Sequence, residues 1–293
     1  VKVLITGAAG LVGSHVADRL SREHEVVALT HGDLEISDGA AVRRRVLETR
    51  PALIINGAVV QVDESEQRPA KALAVNSDGA RFLAQAADEL GAEMIHFSTQ
   101  YVFAGEPVGR APYTIEDEAR PVNHYGRTKV AGEEAVRSAC GRSFIIRTSW
   151  VFGSGKQNFL CAAHKELRAG KKIRAIADIW SSTTYVEDLI DQMLRMRDRG
   201  RYGTYHIVNQ GACTYYEFAL EAGRLLGLTG ERLDRLIEVV KECDMTRSAA
   251  RPRYTPMRCL TSERLGLPPM RDWRSALAAY IAQDSREATG TRQ

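Results

Sequence analysis

The sequence has no run of eighteen or more apolar residues, so no segment is long enough to cross a membrane as an ordinary helix. It also lacks a basic leader followed by a short apolar stretch. Val1 enters an apolar strand directly, and a cytoplasmic protein without membrane association is the expectation. Cysteine is scarce: Cys140, Cys161, Cys213, Cys243 and Cys259 are odd in number, far apart and never in a C-x-x-C pair. That argues against a disulfide framework or zinc knuckle and for reduced thiols. The seven histidines form neither H-E-x-x-H nor H-x-H, so no metal site is expected. An excess of one charge is missing as well, with 40 Lys and Arg against 37 Asp and Glu and a net +3. The densest basic run, Arg43-Arg44-Arg45, would point in three directions on a helix, and no nucleic-acid partner is expected.

What is present is ordinary globular usage, 44% hydrophobic and 26% charged, in a chain long enough for an enzyme-sized core. Residues 1–6, 25–30, 52–56, 93–98 and 143–148 read as short apolar strands. Helical patterns fall at 11–22, 39–49 and 69–90, with a further helix starting near Tyr125. Apolar strands joined by helices need crossover connections, hence a parallel sheet covered on both faces. The expected fold class is α/β, a doubly wound Rossmann sheet with a smaller, mainly C-terminal substrate-binding domain. Residues 1–150 are expected to form the sheet domain, rejoined at about 180–208, with 151–179 and 209–282 forming the smaller one. A last helix from Asp272-Trp273 to about residue 282 and a polar, frayed tail over 284–293 complete the reading.

Between the first strand and first helix stands Gly7-Ala8-Ala9-Gly10-Leu11-Val12-Gly13. There, the first glycine permits a tight turn, the second lets backbone N–H groups approach a pyrophosphate, and the third lets the helix pack on the strand. The helix N-terminus adds positive potential. The G-x-x-G-x-x-G spacing resembles the short-chain dehydrogenase/reductase superfamily, its extended branch in particular. By count, Asp33 stands where an acid would bond the ribose 2′-hydroxyl. The second strand is expected to end at the neutral pair Thr30-His31, leaving Asp33 and Leu34 beyond it to face the adenine. With no acid to repel a 2′-phosphate, NADP(H) is favoured and NAD(H) is the alternative.

Tyr125 and Lys129 lie at i and i+4 and share a helix face. A phenol of pKa ~10 is a poor proton shuttle at neutral pH, and a nearby cation is expected to lower it toward the working range. Such a pair is also a common surface pattern on helices. Here, however, Ser98-Thr99-Gln100-Tyr101-Val102-Phe103 ends the fourth strand at the carboxyl edge, where ligands bind in open α/β sheets. A hydroxyl there can hold a substrate carbonyl.

Four segments together, STQYVFAG from Ser98, YGRTKVAGE from Tyr125, RTSWVFG from Arg147 and Asn158-Phe159, resemble the dTDP-4-dehydrorhamnose reductase family. The likeness extends to Gly203-Thr204-Tyr205-His206 and Ala250-Arg251-Pro252 and covers residues 1 to about 282. It implies Thr99, Tyr125 and Lys129 as catalytic residues, with Lys129 also holding the nicotinamide ribose. It further implies that Trp150 lines the sugar pocket beside Tyr101. The expected cofactor set is Gly7, Gly10, Leu11, Val12, Gly13, Thr30, His31, Asp33, Leu34, Ala58, Asn76, Tyr125 and Lys129; the expected substrate set is Thr99, Gln100, Tyr101, Trp150 and Asn158.

Three segments depart from the family pattern. The loop after the third strand reads Asn56-Gly57-Ala58-Val59-Val60-Gln61-Val62-Asp63, shorter and without its tyrosine and threonine. Asp178 to Thr184 loses Gln, Gly and Pro, and S-T-D has become Ser98-Thr99-Gln100. These changes imply the same reaction type on an altered sugar or nucleotide: reduction of the 4-keto group of a nucleotide-linked 4-keto-6-deoxy sugar. Alternatives are a sugar-nucleotide epimerase or dehydratase, or a regulatory subunit resembling the methionine adenosyltransferase β subunit. A homodimer is a possible assembly.

Overall fold

The computed structural model describes residues 1–156, 158–199 and 201–288. Five strands, β1 (Lys2–Thr6), β2 (Glu25–Leu29), β3 (Leu53–Asn56), β4 (Glu93–Thr99) and β5 (Ser143–Thr148), fall on the five apolar runs. Among them stand α1 (Leu11–Leu20), α2 (Gly39–Thr49), α3 (Val62–Gln67), α4 (Pro69–Leu73), α5 (Ala80–Leu90) and α6 (His124–Ala139). The stretch expected as one helix over 69–90 is in fact three pieces, because a π-helical turn, Ala74–Gly79, separates α4 from α5. The polar α3, sequence VDESEQ, has no apolar periodicity by which to be seen.

After β5 the chain passes through β6 (Val151–Phe152), α7 (Phe159–Arg168), β7 (Ile173–Ile176), β8 (Trp180–Ser181) and β9 (Thr184–Tyr185). It then returns by α8 (Val186–Arg199) to β10 (Gly203–His206) at the sheet edge beside β5. The C-terminal part holds α9 (Tyr215–Leu225), α10 (Gly230–Leu236), β11 (Ile237–Val240), β12 (Tyr254–Thr255), α11 (Leu260–Arg264) and α12 (Trp273–Ala288). Short parallel pairs β6–β9, β7–β11 and β8–β12 tie this part together. The last helix runs on past residue 282 to Ala288, into the stretch expected to fray from 284; residues 289–293 of that stretch lie outside the described residues. Asp284 pairs with His164 at 3.0 Å and Lys165 at 2.7 Å, which fastens α12 to α7. No described helix is long and apolar enough to cross a membrane.

The main sheet has the order β2-β1-β3-β4-β5-β10 with every pairing parallel. Its faces divide by the two-residue strand period. Val3, Ile5 and Ile55 join a core with α1, α7, α8, α9 and α12, while Leu4 and Ile54 join another with α2, α5 and α6. Because β2 and β3 flank β1 on opposite sides, the strand order reverses between β1 and β3, and the carboxyl ends there open a crevice. Register places Thr6 beside Asn56 and Asn56 beside His96 across three strands at that edge.

Helix α6 is anchored to the sheet by a buried ion pair. Glu133 accepts two bonds from the Arg147 guanidinium, at 2.9 and 2.6 Å, and a third from the Ser98 hydroxyl at 2.5 Å. Replacing Glu133 with Ala leaves a buried guanidinium without its partner, which costs about 3–5 kcal/mol. We expect a correspondingly lower urea midpoint for Glu133→Ala; an unchanged midpoint would deny the pair this anchoring role.

Candidate active site

The turn between β1 and α1 needs glycine at its ends. Gly7 has φ +69°, and a Cβ there would lie 2.4 Å from the Gly57 carbonyl carbon. A Cβ on Gly13 would come within 2.3 Å of the Gly7 carbonyl oxygen, so α1 packs directly on the turn. Gly10 precedes α1 with no side-chain cap, and the first turn of the helix carries no acid. The N-terminal N–H groups around Leu11, Val12 and Gly13 are thus left for an anion. In front lies a crevice of about 260 Å³, lined among others by Gly7, Gly10, Thr30, His31, Leu34 and Ala58. Uncapped N–H groups, a turn that tolerates no Cβ and a groove at the strand-order reversal fit a dinucleotide.

Two residues expected in that set are turned elsewhere. Asp33 accepts bonds from the Thr30 hydroxyl and backbone N–H, at 2.7 and 2.8 Å, which hold its carboxyl below the usual range. It is not among the residues lining the crevice. Asn76, on the π turn, receives the Val60 N–H at 2.8 Å and donates to the Val60 carbonyl and the Thr128 hydroxyl. Its side chain joins the loop after β3 to α6, so the structure gives it a bracing position.

Asn123 caps α6 by accepting the Gly126 N–H at 2.8 Å, and its own amide reaches the Ala250 carbonyl. The helix then presents Tyr125, Lys129 and Glu133 four residues apart on one face. Tyr125 stands close enough to Thr99 for that side chain to influence its proton affinity, and its ring meets Tyr101 edge-on at 5.6 Å. The buried Thr99 hydroxyl donates to the Gln100 amide oxygen at 2.9 Å and accepts the Tyr101 N–H at 3.2 Å. Burial pushes the Tyr125 phenol up from its ordinary value, against the downward shift expected from a nearby cation. The Lys129 amine points away to the Phe97 carbonyl at 2.7 Å and to His96 Nε2 at 3.2 Å; burial pulls it down to about 8.

A second cavity, of about 380 Å³, lies beyond β5. Trp150 and Tyr215 stack at 3.9 Å on its wall, with Asn158, Arg174, Met245 and Arg247 around them. Trp150 has φ +37°, a strained conformation for a tryptophan that its position beside a cavity makes notable. Asn158 caps α7 through the Cys161 N–H at 2.9 Å. Of the departing segments, Val59, Val60 and Gln61 line the first crevice, whereas Ser181, Ser182, Thr183 and Thr184 are buried. Ser181 bonds Ser149 at 2.7 Å and Thr255 at 2.9 Å, making an internal hydroxyl seam. Sequence reading did not single out His96, Arg174, Met245 or Arg247. Of that aromatic wall, the family resemblance points to Trp150 and no motif points to Tyr215.

Residues 1–286 match the family described as RmlD substrate binding domain. The dTDP-4-dehydrorhamnose reductase of Mycolicibacterium smegmatis is 38% identical over 96% of this chain and 85% of that protein. The dTDP-4-keto-6-deoxy-D-glucose reductase of Streptomyces niveus is 35% identical over 94% of each. The crystal structure of dTDP-4-dehydrorhamnose reductase from Bacillus anthracis in complex with NADP superposes with a TM-score of 0.89, at 30% identity, covering 96% of this chain and 99% of that one. A crevice at the switch point, a Tyr–Lys helix face beside it and a relationship over nearly the whole length agree: the chain belongs to the dTDP-4-dehydrorhamnose reductase family.

Proposed function

We infer that this protein is an NAD(P)-dependent oxidoreductase that reduces the 4-keto group of a nucleotide-linked 4-keto-6-deoxy sugar. The observation that carries this reading is the grouping of Thr99, Tyr125 and Lys129 at the carboxyl edge of β4, beside the dinucleotide crevice. Bound NAD(P)H supplies the hydride that reaches C4 of the sugar. Thr99 turns its hydroxyl from Gln100 to the carbonyl oxygen and orients it. Tyr125 gives its proton to the same oxygen as negative charge develops there. A phenol raised by burial keeps its proton until that charge appears, which suits the reducing direction. Lys129 stands one turn along with its amine on Phe97 and His96, and it turns from those partners to return a proton to the phenolate.

The second cavity takes the nucleotide: the Trp150–Tyr215 wall offers an aromatic face for a base, and Arg174 and Arg247 offer cations for phosphate. NADP(H) is the preferred cofactor, because Asp33 is turned onto Thr30, while the two acids that line the crevice, Glu35 and Glu64, are engaged by the Ser37 hydroxyl and by Lys71. The NADP-bound Bacillus anthracis relative supports the same choice. Five free thiols accord with a cytoplasmic setting.

Tyr125→Phe is expected to retain NADPH binding by fluorescence titration and to lower kcat by about 10²–10⁴-fold; full turnover would sink the assignment. Trp150→Ala should raise KM for dTDP-4-dehydrorhamnose and for dTDP-4-keto-6-deoxy-D-glucose more than it lowers kcat. Lys129, with its pKa lowered to about 8, is protonated below that pH and loses its proton above it. A kcat profile for reduction should therefore hold at neutral pH and fall as pH rises through about 8.

A further inference from the structure

Thr6, Asn56, His96 and Lys129 form a continuous chain of hydrogen-bonding side chains through the sheet interior. Thr6 lines the dinucleotide crevice, and Lys129 ends the chain on α6. All four residues are almost fully buried, so each donor and acceptor has few alternatives.

The orientation of the chain follows from one fixed donor. The Ala58 backbone N–H lies 3.1 Å from the atom of the Asn56 amide that also receives the Thr6 hydroxyl at 2.8 Å. A backbone N–H cannot accept, so that atom is the amide oxygen. The Asn56 NH₂ consequently faces His96 Nδ1, at 3.1 Å, and donates to it. Nδ1 carries the lone pair. Burial, reinforced by the Lys129 charge, holds His96 well below its ordinary pKa, so the ring is neutral and its single proton sits on Nε2. That N–H points at the Lys129 amine, 3.2 Å away.

We propose that His96, locked by Asn56 as its Nε2–H tautomer, is a positioning residue that turns a donor toward Lys129 and makes the lysine a readier giver of its proton. An ammonium at Lys129 meets the imidazole N–H donor against donor. A neutral amine accepts that N–H while donating to the Phe97 carbonyl at 2.7 Å, and every group is then satisfied. The other groups facing Lys129 do not reverse this preference. Glu133, on the same helix, favours the ammonium, but its carboxylate is spent on Arg147 of β5 and Ser98 of β4. Tyr125, also on α6, is uncharged until it has given up its proton. The lock thus acts at the moment when a phenolate at Tyr125 calls for a proton, and in that respect it rests on the reaction inferred above.

The tautomer can be read without turnover. In the NADP-bound protein, [¹⁵N]histidine spectra should show His96 with protonated Nε2 and bare Nδ1, the signal being assigned by its loss in His96→Gln. A proton on Nδ1 would overturn the proposal. The consequence is read from the alkaline limb of kcat with NADPH and whichever of the two dTDP-4-keto sugars the wild type reduces. Asn56→Asp offers a carboxylate to Nδ1, reverses the tautomer and turns a lone pair toward Lys129. His96→Gln offers an amide oxygen to the lysine without adding charge. Both should move the limb upward by about one pH unit, a tenfold gain in the lysine's proton affinity. A limb unmoved in a variant with wild-type circular dichroism would overturn the positioning role. Should Tyr125→Phe keep full turnover, the reductase reading falls, while the histidine spectrum still decides the tautomer.

Discussion

The Glu133–Arg147 ion pair is closed to solvent and sets where α6 lies on the sheet, and the rest of the candidate site follows from that placement. A buried pair of this kind adds little net stability compared with well-packed apolar side chains, but its directional bonds fix position. Here it joins the helix to β5, and through the Ser98 hydroxyl to β4. Two turns earlier on the same face stands Tyr125, and between them Lys129. Once Glu133 is fixed, the helix repeat brings the phenol to the carboxyl end of β4 and the amine to the sheet interior.

Burial then orders the proton affinities along that face. In water, phenol and ammonium have similar values, ~10 and ~10.4. Desolvation penalises whichever form is charged, so it raises the phenol and lowers the lysine. One environmental cause thus places the proton firmly on Tyr125 and loosely on Lys129. For a group that must protonate an oxygen only as hydride reaches the adjacent carbon, this order is useful: the phenol keeps its proton until a stronger base appears, and the lysine can replace it afterwards. The expectation that a neighbouring cation would lower the phenol assumed that Lys129 faces Tyr125; the amine is instead engaged by Phe97 and His96.

How much could be read before the fold was known depended on whether the signal was local. Five of the six strands of the main sheet, the glycine turn and the Tyr125–Lys129 spacing are written in adjacent residues, and each stands where its pattern puts it. His96 is different. It interrupts the apolar run Met94-Ile95-His96-Phe97 as a single polar residue, and its partners lie 40 residues upstream and 33 downstream. Only strand register reveals them. The same limit applies to Asn76, whose partners are Val60 and Thr128, whereas Asp33 is claimed by Thr30 only three residues away. Their residue type suits a cofactor contact, but a π turn and a local hydroxyl claim their polar atoms.

The departures from the family pattern divide along physical lines. In the segment from Ser181 to Thr184, the buried hydroxyls of Ser181, Ser182 and Thr184 bond hydroxyls and carbonyls of neighbouring segments, so changes there alter an internal seam between the sheet and the C-terminal part. Val59 and Gln61 lie at the dinucleotide crevice, where a changed side chain can touch a ligand. Gln100 lies closer still to the reacting atoms, because it takes the Thr99 proton. A neutral amide in place of the family's carboxylate holds that hydroxyl less tightly and adds no negative charge beside Tyr125. Thr99 is therefore freer to turn toward a carbonyl, and the phenol is spared a repulsion that would raise it further. In the reaction proposed above, Gln100 is the residue that adjusts Thr99, and the loop after β3 is the one that adjusts what is held in the crevice.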